Sequence, residues 1–355
     1  MQTKNNIIDN CYKNYLLASK NYYSDTWRVT SRQNIAFFKN FSLNSFFINS
    51  NIRGLAPIDN YPSVDFLDNK NAKILQKFHK KEFFEIYKKI IFNKYKFGAA
   101  FLIAFRYFTK IKELINKKSK VLIIGDGLGI LSSMILKYYN CQIFLCDLPE
   151  TIIYQEYNLR NNFKNLKFNY IANDDHKIDH KANINFINAD QIHRLKIDLD
   201  LTINTDSFCE MDKYSVNKYF KFVEKNLKVN GNFFYCNKGG LSSDSHKLPG
   251  NFPLSNRYEV KDLEVMYPSH RDTYNKYLAV TAKKTLSEKF KLNQNSNIRL
   301  KKDLLDKFYN DTESFISNHD INKIKNKTLE IINLISKNKK NLIIAKKKKY
   351  LLSLY

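Results

Sequence analysis

The chain has 355 residues, 43% of them hydrophobic, which suffices for one large core or two modest ones. No apolar run is long enough to cross a bilayer and no segment reads as a secretory leader; the five cysteines (Cys11, Cys141, Cys146, Cys209, Cys236) form no CxxC pair, so neither a disulfide framework nor a zinc site is suggested and a reducing, cytoplasmic setting is expected. The formal net charge of +25 would suit nucleic acid or an anionic membrane face, but the lysines are spread along the chain and not gathered with arginines, so it reads mainly as a drift toward Lys, Asn and Ile.

Residues 1–115 read as a mainly helical region that packs on or caps the rest. KKEFFEIYKKIIFNKY places Phe84, Ile86, Tyr87, Ile90 and Ile91 at helical spacing, and residues 98–115 read as a further amphipathic helix. The aromatic clusters NYYSDTW and FFKNFSLNSFFINS fit packing between helices, or else a stacking platform for a sugar ring or base.

From Val121 the pattern changes. VLIIG, QIFLCD, INFINAD, LDLTINT, NGNFFYCN and YLAVTAKK read as strands; LGILSSMILKYY, TIIYQEYNLRNNF and YSVNKYFKFVEKNL read as helices. This alternation predicts an α/β fold over residues 116–284, a Rossmann-like, doubly wound sheet of about seven mostly parallel strands. KGGLSSDSHKLPGNFPLSNRYEV, between the last two strands, reads as one long loop. Residues 285–355 read as a Lys-rich helical extension whose end, NLIIAKKKKYLLSLY, suits packing on the body or on a second subunit, or peripheral contact with a membrane.

The loop after the first strand holds Gly125, Asp126, Gly127 and Gly129. Glycines there allow a sharp turn and close approach of a ligand, and the next helix presents its first N–H groups. A dinucleotide site needs G-x-G-x-x-G; the third glycine position is Ile130, so that fingerprint fails and G-x-G-x-G remains, the spacing of S-adenosylmethionine sites. Asp147, ending the second strand, suits ribose hydroxyls, and Asp190, ending the third, suits the exocyclic amine of adenine. Their neighbours Leu148 and Ala189 join the cofactor-binding set, as does Asn204, expected to face the crevice at the end of the fourth strand. Ile123 stands where an acidic residue is usual in such enzymes, which leaves Asp126 to take part of that role.

CDLPE, LTINTDSFCEM and NGNFFYCNKGG together resemble the bacterial sugar O-methyltransferase family, over roughly residues 80–284. The resemblance implies S-adenosylmethionine as methyl donor and a sugar hydroxyl as acceptor, in surface-glycan or capsule assembly. The acceptor would be a sugar or glycan, free, nucleotide-linked or acidic. Asn-Thr-Asp-Ser at residues 204–207 lacks the Pro-Pro-aromatic clamp used for planar amines, which disfavours a nucleic-acid acceptor. Methyl transfer to a hydroxyl needs a nearby proton acceptor. The candidates are Glu210, with the best positional case, His246, His270 and Asp206; Asn237 and Lys238 face the same crevice by position. A metal-assisted route ranks lower, since no dense Asp/Glu/His cluster is evident and no metal ligand is assigned. Three alternatives stay open: an RNA methyltransferase, an NAD-dependent sugar oxidoreductase (opposed by Ile130 and by the lack of a downstream Tyr-x-x-x-Lys pair), and a non-catalytic scaffold with a retained nucleotide pocket.

Overall fold

A computed structural model describes residues 4–18, 99–239, 249–266 and 276–286. Two helices precede the sheet: α1 (Lys4–Leu17) and α2 (Ala99–Ile111). There follow β1 (Lys120–Ile124), α3 (Ile130–Tyr138), β2 (Gln142–Asp147), α4 (Pro149–Asn162), β3 (Phe168–Ile171), β4 (Ile184–Asn188) and β5 (Leu199–Thr205). The chain continues with α5 (Lys213–Asn226), β6 (Leu227–Gly239), β7 (Tyr258–Met266) and β8 (Lys276–Lys284). Among these residues no helix is long and apolar enough to cross a membrane.

The strands form one sheet in the order β3-β4-β2-β1-β5-β6-β8-β7. All pairs from β3 to β6 are parallel, and β8 runs antiparallel to both β6 and β7. The run β4-β2-β1-β5-β6 has the 3-2-1-4-5 order of the doubly wound fold, with its switch point between β1 and β5. A reversed strand stands where the dinucleotide-binding version has its sixth parallel strand.

Both faces of the sheet are covered, as near-continuous apolar strands require. In β1, Val121 and Ile123 face a core shared with α1, α2, α3 and α4, while Leu122 and Ile124 face the α5 side. The described helices of the 1–115 region therefore share the core of the sheet, through Ile7, Cys11, Tyr15, Phe105, Phe108 and Ile111. The second core is strongly aromatic: Phe208, Phe220, Phe233, Tyr235 and Phe252 lie with ring centroids 5.2–6.4 Å apart.

Two strands were not in the sequence reading. β3 is a four-residue edge strand. β7 begins within the stretch read as one long loop, part of which, Pro249–Asn251, is a 3-10 turn. Its register shifts between Val260 and Asp262, which breaks the two-residue alternation that would have revealed it. The 84–91 helix, the aromatic clusters, most of the 285–355 extension, and His246 and His270 lie outside the described residues.

Candidate functional site

Strand register builds one edge. Ile124 pairs with Cys146 on one side and Asn204 on the other, Asp147 pairs with Asn188, and Thr205 pairs with Cys236. Gly125, Ala189 and Asp206 therefore leave the sheet at about one level, after β1, β4 and β5, beside Asp147 at the end of β2 and Asn237 within β6. In open α/β sheets this is where ligands bind.

The glycine loop is set by its own chain as much as by any ligand. Gly125, Gly127 and Gly129 all have left-handed backbones, with φ of +79°, +57° and +75°. A Cβ on Gly125 would lie 2.4 Å from Ser207 Oγ, so β1 and the turn after β5 can meet here only through a glycine. Asp126 turns back on α3: Oδ1 accepts from the Leu131 N–H (3.2 Å) and Oδ2 from the Ser132 N–H (3.0 Å). The free N–H groups expected to face a ligand are thus partly taken up by this carboxylate, which sits where an anion would otherwise bind. Burial pushes the Asp126 carboxyl up to about 6, against the pull of those Ser132 and Leu131 hydrogen bonds.

The DLP stretch turns β2 into α4. Leu148 is extended (ψ 146°), as a residue before proline prefers, and Pro149 takes the first helical position, where its missing N–H costs nothing. This fixes Asp147, whose Oδ1 accepts from the Leu148 N–H and Oδ2 from Gln155 Nε2, both at 2.8 Å. The Thr151 side chain bonds it as well, and since a carboxylate has about four acceptor positions, about one remains for a ligand. Burial raises Asp147 to about 7; the Leu148 and Gln155 hydrogen bonds oppose this, and the neighbouring charge of Asp126 adds to it. Asp190 is buried at the start of the 3-10 turn Ala189–Arg194. Beside it a pocket lined by Ala189, Ile192, His193, Ser215, Lys218 and Tyr219 opens between that turn and α5.

Asn204 departs from expectation. It is 0% exposed and does not face the crevice. Its Nδ2 donates to the Ile124 carbonyl (3.0 Å) and to Ser207 Oγ, and its Oδ1 accepts from Asn237 Nδ2 (2.8 Å). Asn237 Oδ1 in turn accepts from the Cys209 N–H (3.2 Å). The two asparagines therefore tie the ends of β1, β5 and β6 together beneath the crevice, because buried amides this close satisfy each other.

The SFCEM turn divides its labour. Ser207 fills the space over Gly125 and donates to the Ile124 carbonyl (3.3 Å). Phe208 anchors the turn in the aromatic core at 0% exposure. Glu210 is exposed at the end of the short Phe208–Glu210 turn. Asp206 holds a left-handed backbone (φ +62°), and its Oδ2 accepts from Tyr107 Oη of α2 at 2.9 Å. Lys238 is half-buried near it on β6. Ser207, Gln155 and Tyr107 were missed from sequence. Ser207 lies inside the quoted motif, but nothing in the spacing of α2 marks Tyr107 as a partner of a residue 99 positions away.

No protein-family model matches the chain, and no curated protein matches it. Among solved structures it is similar to TrmN from Thermus thermophilus, at 10% identity over 52% of this chain and 48% of that one, with a TM-score of 0.36. It is also similar to a methyltransferase from Pyrococcus furiosus (13% identity, 52% and 83%, TM-score 0.37). A third is the precorrin-6y C5,15-methyltransferase from Geobacter metallireducens GS-15 (16% identity, 56% and 92%, TM-score 0.36). The chain spans about half the length of the Thermus protein. The fold described above stands on strand order and register alone.

Proposed function

We propose that the chain is an S-adenosylmethionine-dependent methyltransferase that acts on a hydroxyl group, with a sugar hydroxyl as acceptor. The observation that carries this is the sign of the crevice. Asp126 caps α3 where a dinucleotide would need room for its pyrophosphate, and Asp147 stands beside it at the next strand end. The carboxylate at that helix start would repel a pyrophosphate and suits a nucleoside that carries a cation, while Asp147 serves a ribose in either case. The reversed β8 also counts against the dinucleotide fold. The residues present fit the cofactor: Asp147 keeps acceptor capacity for ribose hydroxyls, Asp190 is placed for an exocyclic amine, and Leu148, Ala189 and Tyr219 offer apolar walls for a base.

The cofactor, when bound, supplies an electrophilic methyl group on a sulfonium. The chain's own residues bind and orient. Asp126 takes the acidic role that Ile123, buried in the core, does not fill. The Asn204–Asn237 tie keeps the β1–β5 crevice at fixed width. The acceptor is placed over the ends of β5 and β6, among Asp206, Glu210 and Lys238. The sugar assignment is supported by the CDLPE and SFCEM stretches and by the missing Pro-Pro-aromatic clamp; surface-glycan assembly is the setting that resemblance implies. The net charge of +25 favours a second reading, an RNA acceptor.

S-adenosylhomocysteine should raise the melting temperature and bind in calorimetry while NAD⁺ does neither; the reverse pattern defeats the proposal. Labelled methyl transfer to a panel of free and nucleotide-linked hexoses then tests the acceptor. Tight RNA binding that weakens steeply with salt, together with methylation of that RNA, would replace the sugar reading with the second one.

A further inference from the structure

We propose that Asp206 accepts the proton of the methylated hydroxyl and that Tyr107, reaching in from α2, positions it; this rests on the methyl-transfer reading above. Asp206 lies one residue past the end of β5, level with Asn237 of β6, beside the switch point. Its backbone is left-handed, and its N–H donates to the Cys236 carbonyl at 2.9 Å, which locks the turn onto β6. Such conformations persist where the surroundings over-determine them. One carboxylate oxygen, Oδ2, is held by the Tyr107 hydroxyl at 2.9 Å. The other, Oδ1, is buried and has no hydrogen-bond partner. A buried carboxylate oxygen without a donor is costly, and a turn residue clamped only for structure has no need of one. With one oxygen fixed and the other without a donor, the group has a set direction and unused acceptor capacity.

The charged neighbours come from three elements. Arg106 and Tyr107 lie on α2, Glu210 on the Phe208–Glu210 turn, and Lys238 on β6, with Cys209 alongside. Burial lifts the Asp206 carboxyl to about 7; Tyr107, Lys238 and Arg106 pull it down and Glu210 adds to the rise. A base poised near neutrality matches the needs of general-base catalysis. Glu210, exposed beyond it, acts on Asp206 through its charge. In the step itself, the acceptor O–H bond breaks and its proton passes to Oδ1. The oxygen forms a bond to the methyl carbon, and the methyl C–S bond breaks with its electron pair left on sulfur. A sulfonium and a carboxylate become a neutral thioether and a neutral acid, so charge balances.

The test uses the full chain labelled with [4-¹³C]aspartate, with Asp206→Asn identifying the signal. Asp206 should titrate near neutrality, well above the usual carboxylate value of about 3.9. Tyr107→Phe should move the midpoint further up, because it removes a donor to the charged form. Titration in the ordinary range, unmoved by Tyr107→Phe, overturns the proposal whether or not an acceptor is in hand. With any hexose of the panel that the wild type methylates, Asp206→Asn should lower kcat by about 100-fold or more. S-adenosylhomocysteine affinity should stay within about twofold in that variant, since the cofactor residues are untouched. Asp206→Glu should keep part of the rate, and Tyr107→Phe should shift the acidic limb of the pH–rate profile upward. An Asp206→Asn enzyme within tenfold of wild type also overturns it. Failure of the wild type to bind S-adenosylhomocysteine defeats the methyl-transfer reading, whereas tight binding with an ordinary Asp206 defeats only this inference.

Discussion

Asp126 and Asp147 carry carboxyls raised by burial to about 6 and about 7, so the crevice holds protons at mildly acidic pH. A ligand that donates hydroxyls to Asp147 and sets a cation against Asp126 favours their charged forms and draws both values down. Binding in the window from about pH 5 to 7 must therefore release protons, and affinity must rise with pH and level off above about 7. Calorimetry with S-adenosylhomocysteine in buffers of different ionisation enthalpy measures both; an affinity flat from pH 5.5 to 8 would remove these residues from the cofactor site. The same shifts act on stability with the opposite trend. A carboxyl whose folded value is raised stabilises the fold below its unfolded value, near 3.8, and that contribution is lost as pH rises through the folded value. The ligand-free chain should thus lose melting temperature between pH 5 and 8, and saturating S-adenosylhomocysteine should flatten the decline.

At the scale of elements, the contact between the β1 loop and the turn after β5 decides whether a crevice exists. Gly125→Ala forces a Cβ against Ser207 and a side chain into a left-handed backbone, at a cost of about 2 kcal/mol or more. Ser207→Gly removes both offending atoms, so the double variant should regain part of the lost melting temperature; a double variant no better than Gly125→Ala means that the backbone alone is responsible. Asn204→Ala, which takes the acceptor from the buried Asn237 Nδ2 and leaves the Ile124 carbonyl to Ser207 alone, should cost roughly 1–3 kcal/mol in urea unfolding. The three glycines, Asp147 and the SFCEM turn were visible in the sequence because local geometry demands those residue types. That Gly125 yields to Ser207, and that Asn204 turns inward to Asn237, depends on partners 82 and 33 positions away, which no local period records. The strands of the central sheet were legible for a related reason: covered on both faces, they are unbroken apolar runs. β7, bulged after Val260, and β3, half-exposed at the edge, carry no such run.

For the whole molecule, the question is why α1 lies against α4 on the β1–β4 half of the sheet. α1 buries Ile7, Cys11 and Tyr15 and donates Asn14 Nδ2 to Glu156 Oε1 of α4 at 2.8 Å. Glu156 is fully buried, its Oε1 also accepts from Arg160 Nε (2.8 Å), and burial raises its carboxyl despite the Arg160 charge and the hydrogen bonds from Asn14, Arg160 and Cys11. Its neighbour in sequence, Gln155, is the residue that holds Asp147. α1 thus backs the helix that holds Asp147, the carboxylate proposed for the ribose hydroxyls, and its loss should be felt in S-adenosylhomocysteine affinity. Asn14→Ala leaves Glu156 one donor short and should cost roughly 1–3 kcal/mol, with a several-fold fall in S-adenosylhomocysteine affinity. Asn14→Asp sets a second carboxylate against the first, and the sign of its pH dependence follows from Glu156. While Glu156 is protonated the two can share a hydrogen bond; once both ionise they repel. Asn14→Asp should therefore melt closer to wild type at pH 5 than at pH 8, with the gap widening as pH rises. If both variants keep wild-type melting temperature and affinity across that range, α1 is a bystander, and the β1–β4 half of the sheet stands without it.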